Sequence, residues 1–158
     1  MPKIGAQRVG DRTWHWYIEQ CAPYPQGECI TDVRIYRVWE DPLGHQKRRD
    51  AALTQKKGKG GRLELWVHLP AGNWSAWGQV RLSRVVGWYF GRKPSSLLWK
   101  HFCEVSAGQF LWQVDHLDRD CRVDVADNLE VVRAATNRAR YAANPKAHIG
   151  VRKRPARA

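Results

Sequence analysis

The last third of this 158-residue chain carries the pattern that most restricts its fold: two short apolar segments, a polar loop between them, and a run of helix formers. Residues 109–115 and 128–132 have the length and residue types of β-strands. Residues 134–143 are strong helix formers, and Asn144-Pro145 ends the run because proline cannot continue a helix. The sequence therefore predicts a strand, a long polar loop, a second strand and a helix, in that order.

Two segments upstream show the alternation of polar and apolar residues that is typical of half-buried strands, residues 34–39 and residues 62–69. Pro70-Ala71-Gly72-Asn73 follows the second segment and has the composition of a turn. With 43% hydrophobic residues and 9 tryptophans, a chain of this length can bury a core. These patterns predict an α+β fold with a small antiparallel sheet and helices.

Two short helices are predicted between these strands and the C-terminal unit. Residues 79–86 are expected to pass from a strand into a helix that runs to Phe90. Ser95 or Ser96 is expected to cap a second helix that continues to about Val105. Residues 1–33 carry no pattern that places them, and we interpret them as an N-terminal extension.

Positive charge is the second informative feature, because 27 Lys and Arg residues stand against 15 Asp and Glu, a formal net charge of +12. One basic run lies between Lys47 and Arg62 and has Asp50 as its single acidic residue; its part from 56 to 61 predicts a flexible basic loop. The second run follows Glu130, and residues 145–158 form a basic tail. Either run alone is compatible with a solvated surface, but together they favour a nucleic acid over a membrane surface as partner.

Some classes of protein do not fit the sequence. No segment approaches the run of about 18 apolar residues that a membrane span needs, so we expect no membrane partner. The four cysteines form no Cys-x-x-Cys pair, which favours reduced thiols in an intracellular protein. No targeting signal is readable in the first twenty residues, and the compartment stays open.

Four polar residues in the C-terminal unit carry the candidate chemistry. Asp115-His116 ends the first predicted strand, Asn128 opens the second strand 13 residues after Asp115, and Asn137 lies on the helix 22 residues after it. This constellation resembles the HNH endonuclease family, specifically the phage and intron-encoded homing-endonuclease branch whose third motif letter is Asn. The resemblance implies a ββα-metal motif over residues 109–144, within a domain that we expect to span residues 34–144.

The resemblance is weaker outside these four residues. Residues 80–86 (VRLSRVV) are similar to a family segment in which His is usual at the place of Ser83. The loop between the strands departs from the family: Arg119 stands where Gly is typical, Asp120 and Val123 replace usual asparagines, and Cys121 is unusual. These changes put the conformation of the loop in question.

The chemistry of phosphodiester cleavage explains why these residue types would be needed. Asp115 offers a carboxylate and Asn137 an amide oxygen, and hard oxygen ligands of this kind suit one Mg²⁺ or Mn²⁺ ion, which would meet the charge of the phosphate. His116 is the candidate general base, since an imidazole of ordinary pKa is largely neutral at physiological pH. By the resemblance, Asn128 would orient the loop or His116 through hydrogen bonds.

The sequence thus predicts a metal-dependent DNA endonuclease, and a nicking enzyme if it is a monomer, because one ββα site cuts one strand. DNA is favoured over RNA as the nucleic acid. The alternative is a catalytically inactive HNH-fold subunit that binds nucleic acid or has a structural role in a larger assembly. The residues predicted to contact the nucleic-acid backbone are basic: Lys47, Arg48, Arg49, Lys56, Lys57, Lys59, Arg133, Arg138, Arg140, Arg152, Lys153 and Arg154.

Overall fold

The computed structural model of the chain describes residues 2–57, 63–70 and 77–144. They form a small α+β fold with antiparallel sheets and few helices, which confirms the predicted class at this level. The elements in chain order are β1 (Lys3–Val9), β2 (Arg12–Gln26), β3 (Cys29–Glu40), β4 (Gln46–Asp50), β5 (Leu53–Lys57), β6 (Leu63–Pro70), β7 (Trp77–Arg81), α1 (Leu82–Phe90), α2 (Trp99–Phe102), β8 (Val105–Ser106), β9 (Gln109–Phe110), β10 (Trp112–His116), β11 (Val123–Asp124), a 3₁₀ turn (Ala126–Asn128), β12 (Leu129–Arg133) and α3 (Ala134–Ala143).

The main sheet has the order β1-β2-β3-β11, and β4 also pairs with β3. The long strands β2 and β3 form a hairpin whose turn contains Gly27 at a φ of 61°, a conformation that glycine adopts without steric cost. One edge of β3 carries both β11, which pairs in parallel at Ile30 and Thr31, and β4, which pairs antiparallel from Tyr36 to Glu40. The loop that precedes β12 is therefore bound to the N-terminal sheet.

The core joins the N-terminal strands to the C-terminal unit. Alternate residues of β2 and β3, including Trp16, Ile18 and Ile35, are buried against α1 and against Leu129 of β12. Each fully buried side chain of this size contributes roughly 1.5–3 kcal/mol through removal of apolar surface from water. The boundary expected at residue 33 falls inside β3, and β1, β2 and the first part of β3 are strands of the main sheet, whereas the sequence suggested an extension.

The C-terminal unit contains the predicted strand, strand and helix. β10 pairs antiparallel with β12, which sets Asp115 directly opposite Glu130, and α3 packs on both strands. On the other side α1 approaches β10 closely at Gly87, where an added Cβ would lie 3.0 Å from the methyl groups of Val114. The bounds predicted for the final helix are confirmed exactly, and the strand-to-helix change at residues 79–90 is confirmed as β7 followed by α1.

Several local predictions differ from the structure. The helix expected from Ser95 or Ser96 to Val105 shortens to α2, because Arg92 lies in extended geometry beside β12 and Leu97 donates to the Pro94 carbonyl in a turn. The strand expected at 109–115 is divided into β9 and β10, since the Leu111 amide donates to Glu104 instead of a sheet partner.

Two more predictions fall partly on residues that the structure does not describe. In the expected basic loop 56–61, Lys56 and Lys57 are the last residues of β5, and residues 58–61 lie outside the described residues. Of the expected turn, Pro70 ends β6 and residues 71–73 are likewise outside them. Within the described ranges, no helix has the length and apolar character required to cross a membrane.

Candidate functional site

The two faces of β10 hold the two halves of the candidate site. Successive side chains of a strand point to opposite faces, so Asp115 and His116 cannot face the same way. Asp115 contacts residues of α3 and of the loop after β10, whereas His116 contacts β11. The sequence brings both residues to the end of the strand, and the loop that follows supplies partners to each.

Asp115 is completely buried, and both oxygens of its carboxylate accept hydrogen bonds from guanidinium groups. Arg119 Nη1 donates to Oδ1 at 2.6 Å, and Arg140 Nη1 donates to Oδ2 at 2.8 Å. Arg140 also donates to Glu130, the cross-strand neighbour of Asp115. Hydrogen bonds to Asp115 and Glu130 raise the pKa of Arg140, so this guanidinium stays charged and balances two carboxylates that would otherwise repel each other.

Asn137 lies one helical turn before Arg140, over the same face of β10. Its Nδ2 donates to Gln113 Oε1 at 2.8 Å, two residues before Asp115 on that face. Its Oδ1 is buried and has no hydrogen-bond partner within the described part of the chain. A buried acceptor without a partner costs about 1–3 kcal/mol, so this oxygen is a site where a donor or a cation would be stabilising.

His116 forms a buried pair with Asp124 of β11. The distance from His116 Nε2 to Asp124 Oδ1 is 2.8 Å, and both side chains are almost inaccessible to solvent. Because a carboxylate only accepts hydrogen bonds, we assign the proton of the neutral ring to Nε2, which leaves a lone pair on Nδ1. Nδ1 has no hydrogen bond to any described residue. The ring is thus fixed in the tautomer that a general base requires.

Asp124 is a site residue that the sequence analysis missed, and its position depends on contacts with a distant part of the chain. The backbone of Asp124 pairs with β3, and its carbonyl accepts a hydrogen bond from Thr31 Oγ1 at 2.9 Å. The next residue of β3, Asp32, accepts a hydrogen bond through its carboxylate from the Ala126 amide at 3.2 Å. No local pattern in the sequence marks Asp124, because the pairing that holds it joins residues more than ninety positions apart.

Asn128 ties the ends of the loop together. Its Nδ2 donates to the Asp118 side chain at 3.0 Å and to the Val123 carbonyl at 2.9 Å, while its Oδ1 accepts from the Asp118 amide at 3.0 Å. These contacts fit the expected role of orienting the loop, and the catalytic part of that expectation stays a prediction.

The loop residues that depart from the family pattern have contacts of their own. Arg119 has a φ of 64°, in the left-handed region that glycine favours, and its guanidinium lies over the Tyr141 ring with a centroid distance of 4.7 Å. Asp120 accepts hydrogen bonds from the amide and Nε of Arg122. The loop therefore keeps a defined conformation, and Arg119 reaches the carboxylate that the sequence analysis assigned to a metal ion.

The residues predicted to contact nucleic acid are distributed unevenly. Arg140 is engaged by Asp115 and Glu130, and Arg133 lies over the Trp112 ring at 5.1 Å. The remaining residues either are basic side chains on described elements (Lys47, Arg48 and Arg49 on β4, Lys56 and Lys57 on β5, Arg138 on α3) or lie outside the described residues (Lys59, Arg152, Lys153 and Arg154).

The side-chain oxygens of Asp115 and Asn137 are the candidate ligands of a divalent ion. Asp115 and Asn137 project from β10 and α3 toward the same side of the unit, and the Asn137 oxygen lacks a partner among the described residues. These oxygens fit a hard cation, although one guanidinium would have to leave Asp115 to admit it. No group of three or more His, Cys, Asp or Glu residues in the described ranges could hold a metal ion. The predicted ligands are one carboxylate and one amide, so they do not form a group of three or more such residues.

No protein-family model matches this chain, and no significant match occurs among curated proteins or solved structures. A function must therefore be argued from the contacts of these side chains.

Proposed function

We propose that this protein is a metal-dependent endonuclease that hydrolyses phosphodiester bonds of DNA, and that as a monomer it nicks one strand. The observation that carries the proposal is the buried His116–Asp124 pair, which presents Nδ1 of His116 as a proton acceptor at the end of the strand that also bears Asp115. The sequence spacing of the four motif residues does not predict this contact, because Asp124 is not one of them. A histidine held in one tautomer by a carboxylate is one of the groups that activation of a water molecule requires.

In the proposed reaction, His116 Nδ1 removes a proton from a water molecule as its oxygen attacks phosphorus. The phosphorus–O3′ bond then breaks, and the leaving 3′ oxygen takes up a proton from solvent. The products that the resemblance implies are a 5′-phosphate and a 3′-hydroxyl. Asp124 keeps the imidazole in the correct tautomer and stabilises the imidazolium that forms, which is the part a carboxylate plays beside a general-base histidine.

Developing negative charge on the phosphate needs a cation. One Mg²⁺ or Mn²⁺ ion, held by the Asp115 carboxylate and the Asn137 amide oxygen, would supply that charge next to the phosphate. Because Asp115 and His116 face opposite sides of β10, the end of that strand must bend for both side chains to act on one phosphate. Arg140 lies on the last turns of α3 with about a third of its side chain exposed (36%), so it is able to leave Asp115 for a phosphate oxygen. Arg119 is nearly buried and is held over Tyr141, which makes it the more persistent partner of the carboxylate.

Plasmid nicking tests the proposal. Purified protein incubated with supercoiled plasmid and Mg²⁺ is expected to produce nicked circles, and both chelator and His116→Ala are expected to abolish them. His101→Ala is the matched control, because His101 is a partly exposed histidine on α2 that pairs with Glu104. Cutting that persists in His116→Ala would point to a contaminating nuclease and would contradict the proposal.

A second candidate is favoured by one specific observation, the two guanidinium groups on Asp115. A carboxylate saturated in this way is what a catalytically inactive HNH-fold subunit would retain if it bound nucleic acid or stabilised a larger assembly. This candidate predicts that the protein binds DNA and that neither Mg²⁺ nor Mn²⁺ yields nicked plasmid. The same assay therefore separates the two candidates.

A further inference from the structure

We propose that the sheet carries a second contact surface for the DNA backbone, which we call the tryptophan–cation face. This inference rests on the proposed function for the class of its ligand and adds a surface that the proposal does not include. The face lies at the end of the sheet away from the loop between β10 and β12. Its side chains are Arg12, Trp14, Arg37, Trp39, Lys47 and Arg49.

Strand register puts these side chains on one face. Residues directly opposite each other in an antiparallel pair point the same way. Arg37 is opposite both Trp16 of β2 and Arg49 of β4, and Trp39 is opposite Lys47. Arg48, which the sequence analysis grouped with its neighbours, points to the other face.

The tryptophan rings order the cations. Arg12 and Lys47 lie over the Trp39 ring at 4.3 Å and 5.2 Å from its centroid, and Arg37 lies over Trp14 at 4.4 Å. The two rings are 6.2 Å apart. Cations held on aromatic faces lose less conformational freedom when they bind a ligand, so the arrangement is preorganised for anions.

The cations on this face have no carboxylate partners in the part of the chain that the structure describes. Arg12, Arg37, Lys47 and Arg49 make no salt bridge with any described residue, and Arg12, Lys47 and Arg49 are exposed. On the opposite face, by contrast, Arg48 pairs with Glu19 at 3.4 Å and with Asp50 at 3.8 Å. Four uncompensated charges on one face would be unfavourable in isolation and are complementary to a line of phosphates.

The position of the face suggests how a duplex would use it. The same edge of β3 pairs with β11 at Thr31 and with β4 at Arg37 and Trp39. At about 3.3 Å per residue, Arg37 is about 20 Å from Thr31 along the strand. At about 3.4 Å per base pair, a duplex lying along β3 would span this length with about six base pairs. The ligand is therefore duplex that flanks the cut.

The test compares two double variants that each remove two charges. Lys47→Gln with Arg49→Gln changes the tryptophan–cation face, and Arg34→Gln with Arg48→Gln changes the opposite face of the same strands. Binding of a fluorescent 30-base-pair duplex is measured by anisotropy in chelator at several salt concentrations, and thermal melts check that both variants are folded. Because no cleavage occurs in chelator, the result does not depend on whether the protein is a nuclease.

We expect the first variant to bind the duplex at least tenfold more weakly and to reduce the slope of log K against log salt by about 1.8, since each lost phosphate contact removes about 0.9. The control variant should change the slope by less than about 0.5 on the same scale. Equal losses in both variants would mean that only net charge matters and would overturn the proposal. Loss of binding to phosphatidylserine vesicles but not to duplex would also overturn it, because the ligand would then be a lipid surface.

Discussion

At the scale of single residues, the candidate site depends on the partner that each polar side chain takes. His116 is held by Asp124, Asp115 by Arg119 and Arg140, and the Asn137 oxygen has no partner among the described residues. The first arrangement suits the proposed general base, and the last is a buried acceptor that a donor or cation would satisfy. The guanidinium groups on Asp115 are the feature that activity would have to overcome.

Asp124→Asn tests the positioning of His116. An amide in place of the carboxylate can donate to Nε2 and move the ring proton to Nδ1, so we expect nicking to fall by about 10- to 100-fold without loss of folding. NMR spectra of protein with ¹⁵N-labelled histidine should show the Nε2–H tautomer of His116 in the wild type and not in the variant. Asp127→Asn, an exposed carboxylate in the same loop, is the control and should leave both readouts unchanged. An unaltered tautomer of His116 in Asp124→Asn would show that Asp124 does not set the position of the ring proton.

Arg119→Gly tests whether the guanidinium on Asp115 limits activity. Glycine tolerates the left-handed conformation of residue 119, which costs other residues about 1–2 kcal/mol, and it frees one oxygen of the carboxylate. We expect plasmid nicking to rise several-fold and the Mg²⁺ concentration for half-maximal nicking to fall. A decrease in nicking would instead assign Arg119 a favourable part in the reaction.

At the scale of elements, the loop between β10 and β12 and the helices around it hold the site in shape. Asn128 contributes three hydrogen bonds to this loop. Asn128→Ala removes these three hydrogen bonds from partly buried surroundings, so we expect the free energy of unfolding to fall by about 1–3 kcal/mol in urea denaturation. Asn144→Ala, at the exposed end of α3, should change it by less than about 0.5 kcal/mol. Similar small effects at both positions would show that the loop does not depend on Asn128.

The side chain of Arg84 joins α1 to three other elements, α2, β9 and β10. It is buried, it donates to the carbonyls of Phe102 and Trp112 at 2.8 Å each, and its guanidinium lies 3.7 Å from the centroid of the Phe110 ring. Burial lowers the pKa of Arg84 to about 10, so the group is still charged at neutral pH.

Arg84→Ala removes the shared donor from two carbonyls, and we expect a loss of about 1–3 kcal/mol in the free energy of unfolding for each of them. The exposed Lys100→Ala is the control and should lie within about 0.5 kcal/mol of the wild type. A loss of less than about 1 kcal/mol for Arg84→Ala would contradict the bridging role.

At the scale of the whole molecule, local patterns in the sequence predict the C-terminal unit better than its surroundings. The helix at 134–143 and the strand-to-helix change at β7 and α1 follow from composition and periodicity. The role of β3 could not be predicted in this way, since its pairing with β11 and its place in the core involve residues distant in sequence. The site contacts of Asp124 and Arg119 could not be predicted from local sequence patterns either. Asp124 is fixed by β3, and Arg119 has a left-handed backbone that its residue type does not predict.

The N-terminal sheet consequently has two proposed roles. One end of β3 holds the loop that presents Asp124 to His116, and the other end carries the tryptophan–cation face. A single sheet edge would thus connect the candidate catalytic residues to the surface that holds flanking duplex.

If His116 activates water for phosphodiester cleavage, the rate of plasmid nicking with protein in excess over DNA must depend on this side chain. We expect first-order conversion of supercoiled to nicked plasmid in Mg²⁺, at a rate that His116→Ala lowers by about 10²-fold or more while His101→Ala leaves it unchanged. Equal rates for wild type and His116→Ala, or plasmid that both proteins bind and neither cuts, would show that His116 does not have this role.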